Sequence, residues 1–577
     1  MTTESGIIIP DGFTLHTENN SHILRSSNEA FLNPVQEFNR DTSVACIKVW
    51  SQEMNKVREA RWKWAQEKKG KKGSDGATKK RKVGDGDVQS AGVSELSEPE
   101  MHKPHLIEGE RKPKSLNSPN LNVGKVPESY TFVLLEALSA TGLRSIRYAK
   151  EIPLVKYVIA NDLSPSAIAA MRRNIEINGL GSKSETSLGG SENVHVSLGK
   201  VRINEGDACT LMYSHREEKN RVDVVDLDPY GTASPFIDAA VQCIKDGGLL
   251  CVTCTDLSVL ATTNYPEKCF SNYGGVPVKA EYCHEAALRL VLHTISTSAS
   301  RYGRYIEPLL SLSIDFYVRI FVRIKSGPLE VKKALTKTST YHICSTCQSF
   351  FEQPLGKIVD KRHELSGNVN HLFKIQHGPL VTEQCPHCNS ALHVAGPMWS
   401  GPIHNTDFVA RVLEDLELNQ DKYGTATRMK GMLTVAKEEL HTPFYFTPAK
   451  MASFFHCTTP PLDDVASALL HAGHKISRSH ACPGSLKTTA QREDIHSVFR
   501  SWIEKNPVKM ENISETSPAR KLLAKPANFK ANFERHPDSV TQSGKVKLVR
   551  YQENPTSHWG PGTKAVSGSS IKRKRND

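Results

Sequence analysis

The sequence predicts an α/β protein with a doubly wound, mostly parallel sheet, followed by a smaller α+β domain. Three observations support this prediction. Between residues 130 and 324, short β-rich runs alternate with helical stretches, which is typical of parallel strands joined by crossover helices. Two Cys-x-x-Cys pairs then open a region with a mainly helical pattern. The chain has 577 residues, more than a single domain usually contains.

The elements of the first region follow in order. The first strand is predicted at 131–136 and the second at 155–160. A helix comes next, because Ser164 provides an N-cap, Pro165 lies in the first turn and Gly179 follows the end of the pattern. The later elements are strands at 222–228 and 248–255, a helix at 282–300, a strand pair at 309–324 and a surface loop at 181–199.

Composition divides the chain into four parts. Residues 51–125 are basic and, from about Glu67 onward, almost free of aromatic and β-branched residues, so we expect a disordered insertion. Residues 509–577 are polar and rich in lysine, and we expect a basic, mostly disordered tail. The remaining residues form two predicted domains, one at 1–50 with 126–335 and the other at 336–508.

Positive charge is concentrated in the insertion and the tail. The net charge is +12; residues 54–82 hold twelve Lys and Arg against three acids, and residues 544–577 hold eight against two. Residues 78–83 and 571–575 resemble nuclear-import signals, and we favour this interpretation over a specific RNA contact. We therefore expect a nuclear protein, with the mitochondrion and the cytoplasm as alternatives.

Several classes of protein are excluded. No stretch approaches the roughly 18 uninterrupted apolar residues that a membrane-spanning helix requires, so we expect no membrane association. The N-terminus lacks the basic start and apolar core of a secretory signal. Most of the thirteen cysteines lie singly in apolar runs, which is typical of a reducing compartment. We expect an intracellular protein that acts as a monomer.

The loop after the first strand predicts a nucleotide-type cofactor site. Asp162 ends the second strand, 20 residues beyond Gly142, where an acid can accept hydrogen bonds from ribose hydroxyls. The loop lacks the Gly-x-Gly-x-x-Gly pattern that a pyrophosphate requires, which disfavours NAD. S-adenosylmethionine fits better, with Asp207 as acceptor for the adenine amine. The structural alternative is a tight turn with a helix-capping aspartate.

The strand at 222–228 ends in a motif that favours methylation of an amine on a planar base. Such an amine is a poor nucleophile because its lone pair is delocalised. Asp228 and a neighbouring backbone carbonyl can accept its N–H bonds, which localises the lone pair and stabilises the developing positive charge. Tyr230 can stack on the base and align the reacting atoms. This chemistry requires no strong base. The structural alternative is an Asp-Pro turn that caps a helix.

The two Cys-x-x-Cys pairs predict a structural zinc site. Cys344 with Cys347, and Cys385 with Cys388, each place two thiolates in a tight knuckle. The 37 intervening residues exceed the commonest spacing, and three histidines are alternative ligands: His342, His377 and His387. Four sulfur ligands would leave no open coordination position, so the metal would stabilise the fold. A further pair, Cys251 and Cys254, lies in an apolar strand, and we expect core residues there.

Three motifs together resemble the tRNA (guanine-26 N2)-dimethyltransferase family, which has a class I S-adenosylmethionine-dependent methyltransferase fold. They are the segments 33–41, 138–144 and 226–231, that is Asn33-Pro34-Val35-Gln36-Glu37-Phe38-Asn39-Arg40-Asp41, Leu138-Ser139-Ala140-Thr141-Gly142-Leu143-Arg144 and Asp226-Leu227-Asp228-Pro229-Tyr230-Gly231. Further matches lie at 254–256, 272–275 and 301–305. The likeness covers roughly residues 5–50 and 128–505.

The resemblance implies two successive methylations of a guanine exocyclic amine in tRNA, which would be the partner of this chain. The zinc-containing domain at 336–508 would bind the tRNA. It implies cofactor contacts from five residues: Arg40, Arg144, Asp162, Asp207 and Ala208. Asp228 would be the catalytic acceptor, and Phe31 and Tyr230 would sandwich the guanine. Arg40 could instead only pair with Asp41, Phe31 could be core, and Arg147 could replace Arg144 as a cofactor contact.

Two rival functions remain at this point. An amino methyltransferase of this type could act on adenine or on a protein amide, because the Asp-Pro-Tyr motif suits several planar amines. The other rival is a zinc-stabilised RNA-binding protein with a non-catalytic methyltransferase fold. The presence of Asp162, Asp207 and Asp228 disfavours the second rival.

Overall fold

The computed structural model describes residues 6–26, 32–75, 128–185, 195–364, 367–378 and 381–549. The chain divides into two units, one formed by Met1–Ser51 with Thr131–Asp577 and the other by Gln52–Tyr130. In the described part of the chain, no helix is both long enough and apolar enough to span a membrane.

The first region alternates strands and helices as predicted. Its elements are β1 (Phe13–Glu18), β2 (Ser21–Ser26), α1 (Glu37–Asp75), β3 (Phe132–Glu136), α2 (Leu143–Glu151), β4 (Val155–Asp162), α3 (Pro165–Ile177), β5 (Lys183–Glu185), β6 (His195–Ser197), β7 (Val201–Glu205), α4 (Ala208–Ser214), β8 (Val222–Leu227), α5 (Ser234–Cys243), β9 (Ile244–Cys254), α6 (Leu257–Leu260), α7 (Pro266–Tyr273), α8 (Cys283–Ser300), β10 (Arg304–Ile314) and β11 (Tyr317–Ser326). The predicted surface loop at 181–199 is wrong in one respect, because β5 and β6 pair there as an antiparallel hairpin.

Seven of these strands form one sheet, in the order β10-β11-β9-β8-β3-β4-β7. β7, β4, β3, β8 and β9 pair in parallel, and β11 is antiparallel to both β9 and β10. The predicted doubly wound α/β sheet is therefore confirmed. From β3, the chain winds first to β4 and β7 and later, on the other side, to β8 and β9. A crevice opens at such a switch point, beyond the carboxyl ends of β3 and β8.

The second region combines small sheets with helices. Its elements are α9 (Pro328–Lys333), β12 (Thr338–Ile343), β13 (Phe350–Pro354), β14 (Gly356–Arg362), β15 (Val369–Ile375), β16 (His393–Trp399), α10 (Thr406–Leu418), α11 (Ala426–Glu438), α12 (Pro448–Phe455), α13 (Leu462–His471), β17 (Ile476–Arg478), β18 (Leu486–Thr488), α14 (Arg492–Lys505) and α15 (Pro518–Leu523). Short 3-10 helices occur at Pro34–Gln36, Glu218–Asn220, Ala334–Lys337, Gln420–Lys422, Met510–Asn512, Pro537–Ser539 and Gln542–Lys545.

The predicted domain boundary at residue 335 does not interrupt the hydrophobic core. Ile320 and Val322 of the large sheet belong to the same buried cluster as Tyr341, Met398 and Phe444 from the second region. The small sheet β13-β12-β16 and the loop around Phe444 thus pack directly on the methyltransferase-like sheet and its helix α8. The two regions share one core.

Two predicted disordered segments are wrong where the structure describes them. Helix α1 continues to Asp75, well past the predicted boundary at residue 50, and Glu59 and Lys63 pair across one turn at 2.8 Å. Near the C-terminus, Leu522 and Ala531 are buried in a core cluster with residues of α12, α13 and α14. The remainder of the predicted insertion, at 76–125, and residues 550–577 of the predicted tail lie outside the described residues.

Candidate active site and metal centre

The loop after β3 has a backbone conformation that its small residues permit. Ala140 has a φ of 45° and Gly142 a φ of 79°, both in the left-handed region. A Cβ at Gly142 would lie 2.8 Å from Cγ of Met171 on α3. The Ala140 amide donates a hydrogen bond to Oδ2 of Asp162 at 2.9 Å. Asp162 therefore shapes this loop directly from the end of β4.

Neighbouring strand ends bring the other predicted cofactor residues close to Asp162. The Gly206 amide, just after β7, donates to the Asp162 carbonyl at 3.1 Å. Asp207 follows, is exposed, and caps α4 by accepting the Thr210 amide at 2.7 Å. Ala208 is buried at the start of that helix. Since each carboxylate oxygen has two lone pairs, both aspartates can cap the backbone and still accept a ligand hydrogen bond.

Asp228 lies just beyond β8, and Arg144 holds its carboxylate. An Nη2 hydrogen of Arg144 bonds to Oδ2 of Asp228 at 2.5 Å. In the described part of the chain, Oδ1 of Asp228 has no hydrogen-bond partner. Both residues line the crevice together with Glu136, Ser139, Arg40 and Tyr230. Asp228 thus offers one oxygen to the crevice while Arg144 binds the other.

A buried network of charges and hydroxyls surrounds Arg144. Asp226 is 0% exposed and accepts hydrogen bonds from Arg319 Nη1 at 2.7 Å and from the Tyr148 hydroxyl at 2.5 Å. Ser43 accepts hydrogen bonds from both arginines, at 2.8 Å from Arg319 and 3.2 Å from Arg144. Burial alone would raise the pKa of Asp226, but Arg319 and Arg144 outweigh burial and bring its pKa below the ordinary value. Asp226 is therefore ionised and anchors both guanidinium groups.

Glu136, at the end of β3, behaves differently. Burial raises the pKa of Glu136 to about 8, against the opposing effects of Arg144 and of a hydrogen bond from Ser145. Its Oε1 lies 3.8 Å from Nε of Arg144. At neutral pH Glu136 is mostly protonated, so the positive charge of Arg144 is balanced mainly by the two aspartates.

Arg40 and Arg147 have separate roles. Arg40 lines the crevice and donates three hydrogen bonds to the two carboxylate oxygens of Glu18, including one from Nε to Oε2 at 2.8 Å. It does not pair with Asp41, which instead accepts from Arg147 Nη2 at 2.6 Å. Arg147 is 0% exposed and also pairs with Glu18 and Glu151, so it is not a candidate for cofactor contact.

Of the two aromatic residues predicted to sandwich the base, the structure describes only Tyr230. Its side chain lines the crevice, and the residue is 73% exposed. The next residue, Gly231, is fixed by two hydrogen bonds to Thr255, each 2.8 Å long: its amide donates to the Thr255 hydroxyl, and its carbonyl accepts from the Thr255 amide. Phe31 lies outside the described residues.

The remaining sequence motifs support the loop after β8. The Tyr273 hydroxyl donates to Oδ1 of Asp256 at 2.8 Å and lies 2.7 Å from the Thr232 hydroxyl. Tyr302 donates to Asp238 at 3.0 Å, and Arg304 donates to the Ile244 carbonyl at 2.6 Å near the end of α5. These contacts connect the motifs at 254–256, 272–275 and 301–305 to the segment that follows Asp228: the loop at Thr232, helix α5 and the start of β9.

The four predicted metal-ligating cysteines meet in one buried cluster. All four sulfur atoms lie within 4.8 Å of one another. The Sγ atoms of Cys344 and Cys388 are 3.5 Å apart, and those of Cys347 and Cys385 are 3.6 Å apart. A tetrahedral zinc with bonds of about 2.3 Å would separate its sulfur ligands by roughly 3.8 Å, so this arrangement fits zinc.

The two knuckles have matching local structure. Gln348 and Asn389, each directly after the second cysteine of its pair, have φ values of 58° and 60°. The Ser349 hydroxyl lies 3.1 Å from Cys347 Sγ, and the Ser390 hydroxyl lies 3.4 Å from Cys388 Sγ. His387, an alternative ligand, instead stacks on Phe351 and points Nδ1 toward Glu493 at 3.3 Å. Hydroxyl groups that contact the ligating sulfur atoms in this way stabilise thiolate ligands.

A second buried group of possible metal ligands is formed by His404, Glu439 and His480, whose ligand atoms lie within 4.8 Å of one another. The Ser311 amide donates to His404 Nδ1 at 3.3 Å, and the Ser313 amide donates to His480 Nε2 at 3.1 Å. Of the other ring nitrogens, Nδ1 of His480 hydrogen-bonds to Oε2 of Glu439 at 2.6 Å, whereas Nε2 of His404 lies 3.4 Å from the same oxygen and forms no hydrogen bond in the described part of the chain. The second oxygen of Glu439 lies 3.4 Å from the Lys487 ammonium, so Glu439 already has two partners.

Sequence reasoning missed the network around Arg319 and the pairing of Arg40 with Glu18. The available signal was a charged residue inside an apolar strand, since Arg319 lies in β11 and Asp226 in β8. Two opposite charges in central strands of one sheet require partners, and each was the obvious candidate for the other.

Comparison with known proteins gives a consistent result. A family model described as N2,N2-dimethylguanosine tRNA methyltransferase matches residues 12–500. The tRNA (guanine(26)-N(2))-dimethyltransferase of Schizosaccharomyces pombe is 42% identical over 541 residues, covering 93% of this chain and 90% of that protein. The Homo sapiens protein of the same name is 41% identical, covering 94% of this chain and 76% of that protein.

A solved structure shares the fold. Trm1 from Pyrococcus horikoshii, in complex with S-adenosyl-L-methionine, superimposes with a TM-score of 0.58 at 23% identity, covering 85% of this chain and 99% of that one. This likeness confirms the predicted class I methyltransferase fold. The family model matches well over half of the sequence, and the Schizosaccharomyces pombe relative is 42% identical over 93% of this chain. The chain therefore belongs to the N2,N2-dimethylguanosine tRNA methyltransferase family.

Proposed function

We propose that this chain transfers methyl groups from S-adenosylmethionine to the exocyclic N2 of guanine 26 in tRNA, giving N2,N2-dimethylguanosine. The observation that carries the proposal is the position of Asp228 and Tyr230 at the carboxyl end of β8, beside the loop after β3. A carboxylate oxygen that has no hydrogen-bond partner among the described residues and a 73% exposed ring there fit a flat base with an amine. Family membership supports this reaction and this substrate.

Asp228 has the central role in the proposed mechanism. Its Oδ1 accepts an N–H of the guanine amine, which localises the nitrogen lone pair and stabilises the positive charge that develops as the new N–C bond forms. Arg144 keeps Oδ2 in place, so the free oxygen is already oriented before the base arrives. When bound, S-adenosylmethionine would supply a methyl group on a positively charged sulfur, which would keep the electron pair of the broken S–C bond. The amine proton becomes acidic only after attack and can then pass to the Asp228 carboxylate, so the site needs no strong base.

Tyr230 is proposed to orient the base. Its ring stacks on the guanine and keeps the nitrogen in line with the transferred group. The double hydrogen bond between Gly231 and Thr255 limits movement of this ring's backbone. Phe31 is proposed to cover the opposite face of the guanine, although it lies outside the described residues.

The cofactor contacts are proposed from the strand ends. Asp162 would accept the ribose hydroxyls, and Asp207, with the Ala208 backbone, would bind the adenine. Arg40 and Arg144 would bind the carboxylate of the methionine part, which a guanidinium matches in charge and shape. These proposed contacts are supported by the positions of Arg40, Arg144 and the loop after β3, which Asp162 holds by a hydrogen bond, because all of them line one crevice.

We propose a structural zinc ion on Cys344, Cys347, Cys385 and Cys388. The support is the spacing of the four sulfurs and the two hydroxyls beside them. The metal would stabilise the second region without taking part in methyl transfer, because four protein ligands complete its coordination.

The nucleus is the proposed location, since both import-like clusters are strongly basic, and both lie outside the described residues. The Saccharomyces cerevisiae relative is named mitochondrial, which keeps a second address open for testing. Microscopy of the tagged full chain, with and without residues 78–83 and 571–575, checks this proposal. Light scattering tests the predicted monomer.

The central experiment combines purified protein, labelled S-adenosylmethionine and unmodified tRNA, followed by mass spectrometry of the nucleosides. We expect dimethylguanosine from the natural chain. Asp228→Asn should lower turnover by about a hundredfold or more, with tRNA binding unchanged. Asp421→Asn, a change at an exposed aspartate, is the matched control and should retain full activity.

Three outcomes would contradict the proposal. Retention of more than about a tenth of the rate by Asp228→Asn would remove Asp228 from its role. Methylated adenosine in place of dimethylguanosine would support the rival amino methyltransferase. Absence of S-adenosylmethionine binding by calorimetry would favour the non-catalytic RNA-binding protein.

A further inference from the structure

The long segment between the two metal knuckles forms a projecting two-stranded ribbon. β14 and β15 pair antiparallel over seven residues each, from Gly356 opposite Ile375 to Arg362 opposite Val369. No residue of either strand except Gly356 is buried. This ribbon fills the gap that made the spacing between Cys347 and Cys385 unusually long.

The two faces of the ribbon differ in chemistry. Residues that pair directly across an antiparallel ladder point to the same side. One face therefore carries Lys357 directly opposite Lys374, then half-buried Val359 opposite Leu372, and then Lys361. The other face carries Arg362, exposed apolar side chains, and Asp360, whose Oδ1 lies 2.7 Å from Nδ1 of His371. We call the first face, formed by Lys357, Lys361 and Lys374, the lysine face.

The charges of the lysine face are not balanced within the protein. Among the residues that the structure describes, none of its three ammonium groups forms an ion pair with a carboxylate. Other surface lysines of the same chain do: Lys219, Lys325 and Lys430 lie 2.8–3.0 Å from Glu217, Glu307 and Glu417. Like charges directly opposite each other destabilise a ladder. The isolated fold therefore retains a local repulsion that an external anion would relieve.

The base of the ribbon is fixed, so the lysine face has a defined direction. A Cβ at Gly356 would lie 2.5 Å from Cγ of Leu335, which shows how closely the two elements pack. The Leu355 amide donates to the Thr338 carbonyl at 3.0 Å, and the Gln376 amide donates to the Leu355 carbonyl at 3.1 Å. Thr338 begins β12, the strand that leads directly to Cys344. Leu335 and the small sheet thus hold the base of the ribbon.

We infer that the lysine face binds the phosphate backbone of the tRNA substrate. This inference depends on the proposed function for the identity of the RNA. Lysine ammonium groups bind phosphates as point charges, and each neutralised phosphate releases condensed counterions, which drives association. The binding is independent of sequence, so the ribbon positions tRNA while Asp228 and Tyr230 select the base.

The test uses the full chain with K357Q, K361Q and K374Q combined. Fluorescence polarisation with labelled tRNA is measured over a series of salt concentrations. We expect binding weakened about tenfold near physiological salt, and a plot of log K against log salt that is shallower by about 2, because three phosphate contacts are lost. KM for tRNA should rise, kcat at saturating tRNA should stay unchanged, and the Lys→Arg triple variant should restore binding.

The matched control combines K219Q, K325Q and K430Q, which removes the same charge from lysines that already have carboxylate partners. It should bind tRNA with nearly the natural salt slope. Natural affinity and slope in the lysine-face variant, with unchanged metal content, would overturn the inference. Because polarisation needs no turnover, an inactive natural chain whose tRNA binding depends on the lysine face would overturn the proposed function and support this inference.

Discussion

The crevice and the lysine face both contain clustered cations, but these cations are arranged in opposite ways. Around the crevice, Arg144, Arg147 and Arg319 are buried, and each lies within 3.0 Å of at least one carboxylate oxygen. On the lysine face, three cations share one side of an exposed ribbon and form no ion pair with a carboxylate in the described part of the chain.

This difference separates two uses of charge. A buried cation with fixed partners orients a neighbouring group, as Arg144 orients Asp228. An exposed cation without a partner remains available to an external polyanion and responds to salt. We therefore expect the crevice to determine chemistry and the lysine face to determine affinity.

The largest expected effect comes from removal of the proposed structural zinc in the region that carries the ribbon. Cys385→Ser should abolish zinc binding and lower the free energy of unfolding by about 5 kcal/mol or more, because metal binding contributes directly to folding. Metal analysis and urea denaturation measure the two effects. If the ribbon acts as inferred, tRNA binding should weaken as well.

Cys457→Ser provides the control, since this half-buried cysteine is not part of the four-sulfur cluster. It should retain one zinc ion per chain. Full zinc content in Cys385→Ser would show that the cluster is not the metal site.

The next effect concerns the buried network. Arg319→Met should lower the free energy of unfolding by about 3–5 kcal/mol, because Asp226 would lose its main partner while it remains buried. Turnover should fall too, since Asp226 also holds Arg144. Urea denaturation and single-turnover kinetics provide the measurements.

Arg323→Met, on the same strand, tests whether burial is responsible. Its partner Glu307 is 34% exposed in its side chain, so the change should cost less than about 1 kcal/mol. Equal losses for the two variants would contradict the contrast between a fully buried ion pair and a partly exposed one.

A smaller, pH-dependent effect is expected at the buried histidine group. Burial lowers the pKa of His404 to about 4, against the opposing influence of Glu439. An unfolded histidine titrates near 6.5, so between about pH 6.5 and 4 the unfolded chain binds the extra proton. Stability from this residue is complete above pH 6.5 and falls by about 3 kcal/mol as the pH drops to 4.

His404→Gln should flatten this pH dependence while leaving the salt dependence of tRNA binding unchanged. Thermal unfolding at a series of pH values measures the slope. A slope identical to that of the natural chain would show that His404 titrates normally in the folded state.

The sequence was sufficient to predict the central sheet, and the roles assigned to the site residues stay predictions. Strands such as β3 and β8 are short apolar runs with clear ends, so periodicity and turn residues locate them. Asp162 ends β4, and Asp207 and Asp228 follow β7 and β8 within two residues, at the edge of the sheet where topology brings such residues together. Cysteine spacing likewise predicted the four-sulfur cluster, which the structure brings together.

Other features depend on contacts that no local pattern encodes. Arg319 meets Asp226 across 93 residues and Ser43 across 276 residues. The helix beyond residue 50 was missed because low hydrophobicity suggested disorder, whereas Lys, Glu, Gln, Arg and Ala are good helix formers. Around Leu522, the apolar residues are too sparse to form a pattern, and they become core only against α14.

The single carboxylate oxygen that Asp228 leaves open has a consequence for when the product departs. An unmodified guanine amine has two hydrogens and a monomethylated one has a single hydrogen, so either can still donate to Oδ1 in the proposed mechanism. A dimethylated nitrogen has none. The hydrogen bond between the guanine amine and Oδ1 can therefore form before each of the two methyl transfers but not after the second. Loss of this hydrogen bond ends the reaction at the dimethylated product.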